Sequence, residues 1–134
     1  MSNRIGIPNP FVNYETLAEA ALAAGFELTA PESISGYDET IIQVMNNEMV
    51  QIIFLNGDSR VIVRKAAGSD DISGDYNEYS ETQVVDVDGV SVTIKGNDGA
   101  VKLATWTDNG YTYAVVSDDA MAIDAMEALV SQVK

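Results

Sequence analysis

The sequence predicts an α+β domain: one helix, a twisted antiparallel sheet of about six strands with meander-like hairpins, and a C-terminal helix, both helices on one face of the sheet. Helical periodicity is confined to two segments near the ends, "TLAEAALAAGF" and "SDDAMAIDAMEALVSQVK". Between them the apolar residues recur at strand spacing. Short turns containing glycine, at Asn56-Gly57, Asp88-Gly89 and Asn109-Gly110, separate these runs as hairpin turns do.

Residues 1–13 contain Pro8 and Pro10 and read as an extended lead-in or linker, leaving 14–134 as a single domain. Thr16 followed by Glu19 has the spacing of a capping box, and Gly25 stands where a helix would stop. Leu17, Ala20, Ala21 and Ala24 make a stripe of mostly small residues, suited to close approach to a sheet. After an irregular crossing with Pro31 and Gly36, "TIIQVM", "MVQIIFL" and the segment through "VIVRK" read as three strands in hairpin connection.

The second half alternates more cleanly. In "QVVDVDGVSVTIK" a two-residue turn at Asp88-Gly89 sets Val87 opposite Val90 and Val85 opposite Val92. "GNDGA" opens a strand, not a helix, so it is a turn and no phosphate cradle. The last hairpin, around Asn109-Gly110, sets Trp106 across from Tyr113. The final helix is expected from about Ser117 or Asp119, either of which can cap it. Ala122, Met126, Leu129, Val130 and Val133 form its stripe, and the methionines read as core filler.

Composition removes several classes of function. A chain of 134 residues that is 46% hydrophobic can bury a core without metals or disulfides. It has no cysteine and no histidine, so no thiolate zinc site and no catalytic triad can be assembled within it. A net charge of −14 repels nucleic-acid phosphates and anionic membranes, and favours cations or basic surfaces as partners. No apolar run approaches the roughly 18 residues of a membrane helix, so direct membrane insertion is not expected.

One connection breaks the economy of the turns. "RKAAGSDDISGDYNEY" begins a stretch, from Ala66 to about Ser80, with no usable periodicity. Its candidate binding residues are Arg64, Lys65, Asp70, Asp71, Asp75, Tyr76, Asn77 and Tyr79. The tyrosines and Ile72 can hold such a loop against the body of the domain. The acids suit three roles: ion pairs with Arg64 and Lys65, a calcium site of hard oxygen donors, or contacts to a protein or peptide. Their order does not match an EF-hand loop, so no cofactor is expected and Ca2+ is the alternative.

"EAALAAGFELTAPESISGY", "VIVRKAAGSDDISGDYNEY" and "VTIKGNDGAVKLATWTDNGYTYAV" together resemble a bacterial domain of unknown function. That domain occurs in Gram-positive bacteria as the C-terminal extracytoplasmic module of lipoproteins and membrane-anchored, anti-sigma-like proteins. The resemblance spans residues 10–133 and is strongest in R-K-x-x-G-S-x-D-I-S-G-D-Y-N and A-T-W-x-x-N-G-Y-x-Y. It implies an exported domain, anchored through an N-terminal segment absent from this chain, with a cytoplasmic location as the alternative. It also implies a non-enzymatic binding or sensor module at the cell envelope, with an unknown protein or peptide as partner. The alternatives are a calcium-stabilised envelope domain and a hydrolase using a carboxylate pair. Oligomeric state is left open.

Overall fold

The computed structural model describes residues 11–34, 36–45, 48–68, 72 and 79–134. It is an α+β fold with one large antiparallel sheet. In chain order the elements are β1 (Phe11–Tyr14), α1 (Leu17–Ala24), β2 (Glu39–Met45), β3 (Met49–Asn56), β4 (Ser59–Ala67), β5 (Glu81–Val87), β6 (Val90–Asn97), β7 (Ala100–Asp108), β8 (Tyr111–Ala122) and α2 (Ile123–Ser131). The sheet has eight strands in the order β1-β2-β3-β4-β8-β7-β6-β5, more than the six expected. One comes from the N-terminal lead-in, where Phe11–Tyr14 pairs with Ile42–Met45. Four residues are too few to display a strand period, and pairing to a neighbour supplies what the local pattern lacks.

Two four-stranded meanders meet where β4 pairs with β8. Every neighbouring pair is antiparallel, so β4 and β5 run in the same direction with β8, β7 and β6 between them. Four strand spacings make about 19 Å across the sheet, and the chain must also return along the strand length. A two-residue turn cannot do this. Residues 68–80 can, since an extended chain of that length reaches about 45 Å. The long connection is a crossover required by topology.

Two hairpins, β5–β6 and β7–β8, follow the expected register. Val87 lies opposite Val90, Val85 opposite Val92, and Trp106 opposite Tyr113. At the turns Asp88-Gly89 and Asn109-Gly110 both residues have positive φ, 53° with 86° and 52° with 84°, as the right-handed twist of the strands demands. The β3–β4 turn is displaced by one residue from the Asn56-Gly57 position, because Asn56 still pairs with Ser59.

On one face of the sheet Ala20 and Ala24 of α1, and Met126, Leu129 and Val130 of α2, join a single core with Ile52, Phe54, Val63 and Val115. The first half of the capping box forms, the Glu19 amide donating to Thr16 Oγ1 at 3.1 Å, while Glu19 Oε1 accepts at 3.2 Å from the amide of Glu15, one residue before the cap. Reciprocal backbone bonds between Thr29 and Lys134, 2.9 and 3.0 Å, tie the segment after α1 to the C-terminus.

The start of the last helix needs correction. Residues 117–122 are strand, and α2 begins only at Ile123 with no side-chain cap. Asp118 is taken by Arg60, whose backbone amide and Nε donate to its carboxylate at 3.0 and 3.1 Å. Met121 and Ala122 pair with Val101 and Ala100 beyond a register shift in β7. Cross-strand partners here override a local capping signal.

The β6–β7 hairpin depends on Gly96, which lies at a bulge. A Cβ on Gly96 would fall 1.8 Å from the Ala100 carbonyl oxygen, against backbone that cannot swing aside. Gly96→Ala should therefore cost on the order of 3 kcal/mol in urea unfolding. A loss below about 0.5 kcal/mol would mean the hairpin has another way to close.

Candidate binding surface

The strand period of two sends Arg64 and Lys65 to opposite faces of β4. On the face away from the helices, Asn13, Gln43, Gln51 and Arg64 stand in register across β1 to β4. Their side chains form one ladder. Arg64 Nε donates to Gln51 Oε1 at 2.8 Å, Gln51 Nε2 to Gln43 Oε1 at 2.6 Å, and Gln43 Nε2 to Asn13 Oδ1 at 2.8 Å. Arg64 Nη1 also donates to the Ile72 carbonyl at 3.0 Å, so the ladder ends on the crossover. Burial, and then the charge of Arg60, lower the Arg64 pKa from its ordinary value. Gln51 is only 3% exposed, so its amide depends on these partners.

Lys65 faces the helix side and is 8% exposed. Its Nζ donates to the Glu27 carbonyl at 2.6 Å. It also lies 4.5 Å from the Tyr111 ring centroid, 5.4 Å from Tyr113 and 5.6 Å from Phe26, within cation–π range of all three. Tyr113 stacks in turn on Trp106, centroids 5.1 Å apart and rings parallel. Burial lowers the Lys65 pKa, opposed by the charges of Glu27 and Asp108. The ammonium is held inside the fold by a carbonyl and three aromatic faces.

Asp70, Asp71, Asp75, Tyr76 and Asn77 lie outside the described residues. Tyr79 is half-buried at the end of the crossover. The described parts of the crossover are tied down. The Gly68 amide donates to the Gly110 carbonyl at 2.9 Å, Thr112 Oγ1 donates to the Gly68 carbonyl, and the Ser80 amide donates to Asn97 Oδ1 at 2.8 Å. A shallow hollow of about 520 Å³ adjoins this anchor at Thr107–Gly110. Among the described residues no group of three or more acids is placed to hold a metal ion.

A deeper concavity, a groove of about 610 Å³, lies on the helix face between α1 and strands β1 and β2. Ile42 and Ile52, paired across β2 and β3, line its base with Thr40. Leu17 and Pro31 form walls, and Glu15 and Glu32 stand at the rim as exposed carboxylates. Sequence reasoning missed this groove because its lining comes from the start of α1, the irregular segment after it and three strands. One signal was available. Residues 5–59 contain Glu15, Glu19, Glu27, Glu32, Asp38, Glu39, Glu48 and Asp58 and no lysine or arginine.

No family model, curated protein or solved structure matches this chain.

Gln51→Leu keeps the volume but leaves the Arg64 and Gln43 side chains without their shared partner. It should cost about 2–3 kcal/mol in urea unfolding, and a neutral result would show that the ladder contributes nothing to stability. Lys65 gives a test in pH. Folding lowers its pKa, so the unfolded chain binds more protons below 10.5 and stability rises as pH approaches that value. The melting temperature of the protein, relative to Lys65→Met, should therefore shift upward as the pH rises toward 10.5. An unchanged difference would mean that Lys65 titrates alike in both states.

Proposed function

We propose that this chain is a non-enzymatic binding module of the bacterial cell envelope, and that its ligand sits in the groove between α1 and β1–β2. The observation that carries the reading is the groove itself: about 610 Å³, with an apolar base and a few polar groups at the margin. Small-ligand and peptide sites share this build. A carboxylate-pair hydrolase fits the site less well, because a general acid needs a carboxyl group kept protonated by burial, and Glu15 and Glu32 are exposed. The placement at the envelope rests on the sequence resemblance. No helix among the described residues is long and apolar enough to cross a membrane.

Methyl-labelled protein screened by NMR against a mixed tripeptide library tests the seat. Hits should move the Ile42 and Ile52 methyls and be lost in Thr40→Trp, which fills the groove from an exposed position. Hits that instead cluster around Gly68 and Gly110 would overturn the groove in favour of the crossover as the binding surface.

A further inference from the structure

Resting on the groove as the binding seat, we infer that its ligand is a basic peptide segment carrying one apolar anchor residue. The apolar half of that description comes from the base. Ile42 and Ile52 stand side by side on paired strands, and Leu17 closes over them from the first turn of α1. An aliphatic side chain placed there would add its buried surface to theirs.

The basic half comes from charge. Every lining residue lies between Asn13 and Ile52, inside the stretch from 5 to 59 that has acids and no base. Glu15, just before α1, and Glu32, next to Pro31, both line the groove as exposed carboxylates, so a chain lying there meets two acids. The acid at the start of α1 that bonds backbone is Glu19, whose carboxylate accepts from the Glu15 amide. The six bases of the described protein are absent from the groove lining: Arg60 is on Asp118, Arg64 in the ladder, Lys65 among aromatic rings and Lys134 3.9 Å from Asp88, while Lys95 and Lys102 stand on β6 and β7. The field at the groove is that of a protein with net charge −14, and it draws cationic ligands.

Three short acetylated, amidated peptides separate the two halves: lysines around a central leucine, lysines around a central serine, and glutamates around a central leucine. Binding is read from the Ile42 and Ile52 methyl signals and from calorimetry at low and high salt. The lysine–leucine peptide should move both methyls, weaken on adding salt, and lose about fivefold in affinity in the Glu15→Gln/Glu32→Gln variant. The other two peptides should leave the methyls in place. If the glutamate–leucine peptide moves them equally, the charge preference is wrong while the groove stands. If the lysine–serine peptide binds as tightly as the lysine–leucine one, the attraction is that of the whole acidic surface and the anchor is wrong. If no peptide moves these methyls, the inference falls whatever binds elsewhere. The library screen then decides whether the groove reading falls with it.

Discussion

The pairing of β4 with β8 is the constraint on which the rest of the molecule depends. It joins two four-stranded meanders into one sheet, and in doing so leaves β5 at the far edge, parallel to β4 and four strands away. The chain between them has to cross the sheet. Ile72, bonded to Arg64, shows that it meets the face opposite the helices. Burial on both faces of the central strands accompanies this arrangement. Val61 and Val63 are buried on the helix side, while Ile62, Leu103 and Ala114 are buried on the other.

The two central cations illustrate how a strand divides neighbouring residues. Arg64 and Lys65 are adjacent in sequence and separated by the thickness of the sheet. Arg64 finds amides in register on β3, β2 and β1, so its charge is met by an ordered row of dipoles ending on a backbone carbonyl. Lys65 finds a carbonyl and aromatic faces. Both are costly groups to desolvate, and each is satisfied by partners that exist only once several strands have assembled.

The distribution of charge gives the molecule two unlike halves. The chain from residue 5 to Asp58 has no basic residue, whereas the three bases of β4, Arg60, Arg64 and Lys65, are each engaged by partners within the protein. The groove opens in the acidic half. Its apolar base and carboxylate rim are adjacent there because α1 is held across β2 and β3 by Ala20 and Ala24, whose small side chains let the helix lie close to the sheet.

Much of the local structure was legible. The cap bond from the Glu19 amide to Thr16, the Val85–Val92 and Val87–Val90 pairs, and the Trp106–Tyr113 pair are consequences of short-range rules, and they stand where those rules put them. "MVQIIFL" also held a hint of double-faced burial, since its apolar residues run on without alternating. The sequence by itself determined the buried helix positions Ala20, Ala24, Met126, Leu129 and Val130, the registers of the β5–β6 and β7–β8 hairpins and the acidity of the first half, because these depend on residues a few positions apart. Ala122, expected in the last helix's stripe, is instead an exposed end of β8. Only the tertiary structure decided the β4–β8 junction, the strand status of Phe11–Tyr14 and of residues 117–122, the row from Asn13 to Arg64, and the groove. Each depends on which distant strands become neighbours. Hydrogen bonding between backbones is indifferent to side-chain identity, so no local pattern announces that choice.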